Sequence, residues 1–223
     1  MTKQLLIQAF FKTGSGAILM GLLLFLPAGT VHYWNAWLLL AILFLPMLVV
    51  GIVLMRKAPD LLRKRLNTKE TESDQITVII GSSVMFVTGF ILAGLDFRFG
   101  WLPLPRWVSI AAAVVFLIAY ALYVEVLREN AYLSRTVEIQ ENQNVIDTGL
   151  YGIVRHPLYS VTLLLFLSIP LVLGSLISLV VFLFYPFLIA KRIRNEEQVL
   201  EAGLEGYTEY KTRVKYRIIP FVW

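Results

Sequence analysis

Residues 157–190 read PLYSVTLLLFLSIPLVLGSLISLVVFLFYPFLIA, a run of 34 residues without a charge. A membrane-spanning helix needs about 20 apolar residues. The run is too long for one upright span and short for two. Ser168-Ile169-Pro170 and Gly174-Ser175 stand near its middle, and proline and glycine both interrupt helices, so they mark a bend. Each arm then has about 14–16 residues, or ~21–24 Å as helix, against a ~30 Å hydrocarbon core. The expectation is a thin hairpin that starts and ends on one side of a membrane.

The flanks make that return consequential. Tyr151-Gly152-Ile153-Val154-Arg155-His156 precedes the run, and Lys191-Arg192-Ile193-Arg194-Asn195-Glu196-Glu197 follows it. A hairpin brings these two polar groups together at one membrane surface.

Four further spans are expected upstream, at about Ala9–Thr30, Trp34–Met55, Ile76–Leu95 and Trp107–Leu127. A secretory signal is the competing reading of the first, through Lys3 and the small residues Ala28-Gly29, but its apolar core is long and membrane-like segments follow. Gly14-Ser15-Gly16 follows no strand, so it reads as small residues that let helices approach, not as a phosphate loop. Residues 56–75 are strongly polar, with Pro59-Asp60 opening a short surface helix to Leu66. Residues 96–106 hold two prolines and three aromatics and read as an interfacial turn. Thr136 to Gln140 alternates and reads as a short hairpin or extended loop.

Charge fixes the expected topology. Lys and Arg number two before the first span, none in the first connection and six in the second. The third connection has two, the fourth three and the tail after Ala190 seven. Positively charged loops stay in the cytosol, which places both termini, residues 56–75 and residues 128–156 there. A single tilted span over 157–190 would put seven basic residues on the wrong side.

Composition agrees. The chain is 58% hydrophobic and 16% charged, against about 45–50% and about 25% for soluble domains. The fold class is therefore an all-α polytopic bundle: four spans, a C-terminal helical hairpin and a cytosolic tail. It divides into a two-span segment, 1–75, and a core, 76–223. With no cysteine and only His32 and His156, a structural zinc site is not expected. The net charge of +5 sits at span ends, so it calls for membrane surface and not nucleic acid.

Within the polar groups, arginines can simply snorkel to headgroups. Two details argue for more. Arg155-His156-Pro157 stands at a helix start, which favours an anion such as a carboxylate. Glu196-Glu197 repel within one turn unless cations or hydroxyls are bound to them.

Gly149-Leu150-Tyr151, then Arg155-His156-Pro157-x-Tyr159, the apolar hairpin and Glu196-Glu197 together resemble the isoprenylcysteine carboxyl methyltransferase family and the related phospholipid N-methyltransferases. Tyr207-x-Glu209-Tyr210-Lys211-x-Arg213-Val214 and Pro220 extend the resemblance through the tail. It covers about residues 75–223. It implies a membrane methyltransferase that uses S-adenosylmethionine without a Rossmann domain. Carried over by position, the cofactor site comprises Gln143, Asn144, Val145, Ile146, Tyr151, Arg155, His156, Pro157, Leu158, Tyr159, Glu196 and Glu197. Arg192 or Arg194 faces the acceptor, and His156 is a catalytic candidate. Ser160 departs from the glycine common in the family, and Gln143-Asn144 falls where its members vary.

The implied chemistry suits these residue types. Arg155 and the helix start can hold the cofactor carboxylate, Glu197 its ribose hydroxyls, and Tyr151, Tyr159 or Leu158 its adenine. A carboxylate acceptor needs no base, only an orienting arginine. An amine or thiol must lose a proton, to His156 or a glutamate. The expected partners are the bilayer and a lipid-like or small hydrophobic acceptor, with no metal and no nucleic acid. Two other readings compete. One is a sterol-reductase-like enzyme that binds NADPH, and the other is a non-catalytic membrane protein.

Overall fold

The structure is a computed structural model that describes residues 2–66, 73–134 and 139–223. Most of the alternating stretch at Thr136, and the charged residues Lys69, Glu70 and Glu72, lie outside the described residues.

The described residues are helical, with no strand beyond one isolated bridge between Pro103 and Ser175. The helices are α1 (Thr2–Ala28), α2 (Trp34–Lys57), α3 (Pro59–Leu66), α4 (Ser73–Phe99), α5 (Arg106–Glu129), α6 (Pro157–Val172), α7 (Leu176–Phe182), α8 (Tyr185–Gly203) and α9 (Tyr207–Arg213). Five helical stretches are long and apolar enough to cross a membrane. Four correspond to the expected spans, and the fifth, Leu176–Gly203, is formed by α7 and α8 together.

The two arms are therefore unequal. α6 has 16 residues, but the second arm runs 28 residues and continues past Ala190 as far as Gly203. The reason lies in residues 191–203, which keep helical periodicity and hold no glycine or proline before Gly203. The bend itself falls at Gly174-Ser175 only. Pro170 stays inside the last turn of α6, while Gly174 takes a left-handed φ of +74°. Ser175 then caps α7 by accepting from the Ser178 amide at 3.2 Å.

Lipid tails are as apolar as leucine, so helices in a bilayer are joined by close packing and internal hydrogen bonds. Both are present. α6 lies along α5, and α4 packs against α1 on one side and α7 and α8 on the other. Gly89 of α4 leaves room for the Phe182 ring, which would stand 2.4 Å from a Cβ at that position. At the bend, Asn35 donates to Ser109 Oγ at 2.9 Å and to the Val172 carbonyl at 2.8 Å. Tyr33 donates to the Leu173 carbonyl at 2.7 Å. Ser175 donates to buried Asp96 at 2.5 Å. These bonds pin the bend to the α1–α2 and α4–α5 connections at one end of the bundle.

The segments expected to share a side meet at the opposite end. Lys12 donates to the Leu66 carbonyl, and Lys64 of α3 to Gln140 Oε1, both at 2.5 Å. Arg65 reaches Tyr123 Oη at 2.7 Å and the Ser134 carbonyl at 3.4 Å. The short helix is therefore clamped to the loop after α5 and does not float on the surface; Leu61 and Leu62 are buried. The glycine pair in α1 differs from expectation. A Cβ at Gly14 or Gly16 would meet nothing within 4 Å, so neither serves close helix contact.

Candidate active site

The site is assembled from three pieces: the loop after α5, the start of α6, and α8 with its tail. The loop is held from α5. Asn130 donates to Tyr151 Oη at 3.0 Å, and Glu129 accepts from the Leu150 amide at 3.0 Å. Gly149 turns with φ +51° beneath that carboxylate and opens a single 3-10 turn, Gly149–Gly152, which aims Tyr151 inward. Tyr210 of α9 donates to the Tyr151 carbonyl at 2.7 Å. The amides of Arg155 and His156 donate to the carbonyls of Tyr216 and Arg217 at 2.9 and 2.8 Å. The tail thus occupies the backbone immediately before α6, and Pro157 sits at the first helical turn, where its missing N–H costs nothing.

The two glutamates have separate environments. Glu197 is buried. Its Oε1 accepts from Arg155 Nε at 2.8 Å and lies 3.2 Å from His156 Nε2, and its Oε2 accepts from Arg217 Nε at 2.9 Å. Arg155 also donates through Nη1 to the carbonyls of Val214 and Lys215 at 2.7 and 2.8 Å. One carboxylate therefore joins α6, α8 and the tail. Glu196 accepts a short hydrogen bond from Tyr159 Oη, which in turn accepts from Arg192 Nε at 2.8 Å. The repulsion expected of Glu196-Glu197 is relieved by cations at one and a hydroxyl at the other.

These residues line a polar pocket. Gln143, Asn144, Val145, Ile146, Tyr151, Arg155, His156, Leu158, Tyr159, Arg192 and Glu196 all face it. Pro157 and Glu197 are buried beside it without lining it, and Arg194 is exposed. Arg194 stands two positions from Arg192, which puts it across the helix. The sequence reading did not place Asn130, Tyr207 or Tyr210 in the site. Tyr207 and Tyr210 are one helical turn apart behind the left-handed Gly206 and both face the pocket. That spacing after a glycine was the available signal. Burial raises the phenol pKa of Tyr151, Tyr207 and Tyr210, so all three are neutral hydroxyls at physiological pH. Tyr207 Oη is buried and has no hydrogen-bond partner among the described residues.

A second hollow of about 400 Å³ adjoins the pocket. It lies between α4, α6 and α8, and it shares Ser134, Leu158, Tyr159 and Arg192 with the pocket. Its far walls are Val78, Ile79, Phe86, Phe166 and Ile189. No cluster of metal-ligating side chains occurs among the described residues.

Fold and site define an integral membrane helical protein with a polar pocket at one end of the bundle, adjoined by a mostly apolar groove. Residues 107–202, a little under half of the chain, match the model of the isoprenylcysteine carboxyl methyltransferase (ICMT) family. A stretch of 91 residues is 34% identical to Delta(14)-sterol reductase TM7SF2 of Mus musculus, covering 40% of this chain and 22% of that protein. The chain thus spans about a fifth of the length of that relative.

Proposed function

We propose that the chain is an S-adenosylmethionine-dependent methyltransferase of the membrane, acting on a lipid-like or small hydrophobic acceptor. One observation carries the reading: Tyr159 and Arg192 line both the polar pocket and the apolar groove. A polar cofactor and an apolar acceptor would meet there. The sterol-reductase reading rests on a partial match and has no such observation behind it.

The side chains lining the polar pocket suit the functional groups of the cofactor. The unpartnered Tyr207 hydroxyl and the Gln143 and Asn144 amides offer donors for a carboxylate or ring nitrogens. Glu196 is the carboxylate that can accept from ribose hydroxyls, and Tyr151, Leu158 and Val145 offer apolar contact to adenine. Bound S-adenosylmethionine supplies an electrophilic methyl group on a sulfonium. The chain supplies position: Arg155 and Glu197 fix the tail, and α8 and α9 wall the pocket through Arg192, Glu196, Tyr207 and Tyr210. Holding two reactants in line is worth ~7–11 kcal/mol. Arg192 orients an acceptor carboxylate by a charge-assisted pair; for an amine or thiol, His156 or Glu196 takes the proton. The site end of the bundle faces the cytosol, where its basic loops belong.

Calorimetry on the detergent-solubilised protein tests this. The expected result is binding of S-adenosylmethionine and its demethylated product. Binding of NADPH instead would move the assignment to a reductase, and binding of neither to a non-catalytic protein. Methyl-labelled cofactor added to native membranes would then reveal the acceptor.

A further inference from the structure

The apolar groove does not end against α4. Ser83, Phe86 and Phe166 line it, and the same three residues line another hollow of about 410 Å³ whose remaining walls include α1 and α2. That far hollow is apolar, with Met20, Leu23 and Leu43 among its walls. Two rings stand where the hollows join. Phe86 and Phe166 meet edge to face with centroids 4.9 Å apart. Phe182 backs Phe86 at 5.3 Å, and Tyr185 backs Phe166 at 4.7 Å. The far hollow is also kept open: Gly16 lines it, and a Cβ there would meet nothing within 4 Å.

We infer that the two hollows form one track for the hydrocarbon chain of the methyl acceptor, with Phe86 and Phe166 as a partition that sets how long a chain is accepted. This rests on the methyltransferase reading. Polarity along the track identifies the occupant. Arg65, Arg192 and Tyr159 stand at one end, Ser82, Thr162 and then Ser83 come next, and beyond Ser83 the walls are hydrocarbon. An amphiphile with one polar head and one chain matches that gradient. A bilayer lipid filling the far hollow alone would need no connection to Arg192. Along α6, Tyr159 to Phe166 is about 10 Å and Tyr159 to Ile169 about 15 Å. A chain with its head at Tyr159 that reaches beyond about 10 Å must displace the rings.

Photocrosslinking tests the track. The probes are fatty acids and alkylamines with a diazirine at the terminal carbon, in octyl and hexadecyl lengths. They are added to the full chain in detergent, and labelled peptides are mapped by mass spectrometry. The hexadecyl probes should label α1 around Met20 and Leu23, and the octyl probes α6 near Phe166. Gly16→Leu fills the far hollow and favours helix, so it should cut hexadecyl labelling of α1 several-fold and leave octyl labelling unchanged. Phe86→Leu should raise hexadecyl labelling. Labelling of α1 that ignores chain length and Gly16→Leu is what bilayer lipid would give, and it overturns the proposal. If Phe86→Leu does not fold, Gly16→Leu decides alone. Calorimetry with S-adenosylmethionine on the same samples keeps the two readings apart. Loss of cofactor binding in the unmodified protein sinks the methyltransferase reading, whereas the label pattern reports only on the track.

Discussion

Arg155 and Glu197 form an ion pair of 2.8 Å between side chains that are each 4% exposed, 42 residues apart in the chain. The pair is the knot that ties α6, α8 and the tail. Removing one member of a buried pair costs about 3–5 kcal/mol, because the other charge is left unpaired. Glu197→Ala strands both Arg155 and Arg217. Arg155→Ala leaves Glu197 with Arg217 and His156. Thermal unfolding in detergent should therefore fall further for Glu197→Ala. Both variants should stay membrane-inserted and lose affinity for S-adenosylmethionine. Unchanged affinity in both would remove this knot from the site.

Tyr159 tests the junction of pocket and groove. Its hydroxyl connects Arg192 to Glu196. Tyr159→Phe keeps the ring and deletes that connection. Hydrogen bonds to charged groups contribute about 1.5–3 kcal/mol, and each 1.4 kcal/mol is tenfold. Methyl transfer should drop roughly ten- to a hundredfold, with a smaller change in cofactor affinity. Equal losses in turnover and affinity would show that Tyr159 serves the cofactor alone.

Much of this was legible in the chain because two signals are strong. Apolar runs bounded by charge mark spans, and the asymmetry of Lys and Arg sorts the loops. That is why the loops around Lys64, Gln140 and Arg155 were expected on one side and meet at one end of the bundle. The bend was located only to within several residues, since α6 runs on past Pro170 despite the hydrogen bond that proline deletes, and only the left-handed Gly174 reverses the chain. The division of labour between Glu196 and Glu197 was not legible. Adjacent residues on a helix point about 100° apart, and which one faces the pocket depends on how α8 is rotated against α6. The tail carbonyls that engage Arg155 were invisible for a similar reason, because backbone acceptors leave no trace in residue type.

The bend should be separable from the site. Asn35→Ala leaves the Val172 carbonyl and the Ser109 hydroxyl without their shared donor. An unsatisfied buried polar group costs about 1–3 kcal/mol. Thermal stability should fall accordingly, with affinity for S-adenosylmethionine unchanged, since Asn35 lies at the opposite end of the bundle. A parallel loss of affinity would mean that the bend positions the pocket.

Gly149→Ala should do the reverse and act on the pocket first. A Cβ at this position would stand 1.4 Å from Glu129 Oε1, and the left-handed φ of +51° is itself unfavourable for alanine. The carboxylate must swing away and release the Leu150 amide, which loosens the turn that presents Tyr151. Cofactor affinity should fall about tenfold or more while the spans remain inserted. Normal affinity would show that Tyr151 is held well enough by Asn130 and Tyr210.

Orientation can be read chemically because the chain contains no cysteine. Arg63 of α3 and Val222 of the tail are exposed at the site end, and Trp101 is exposed at the other end. Arg63→Cys, Val222→Cys and Trp101→Cys each place one thiol on an otherwise unreactive protein. With a membrane-impermeant maleimide on intact cells, only the thiol at 101 should react; after permeabilisation, those at 63 and 222 should react as well. Labelling of position 222 from outside would put the tail, and with it Glu197 and Arg217, on the far side of the membrane. The two polar flanks of 157–190 could not then share one surface.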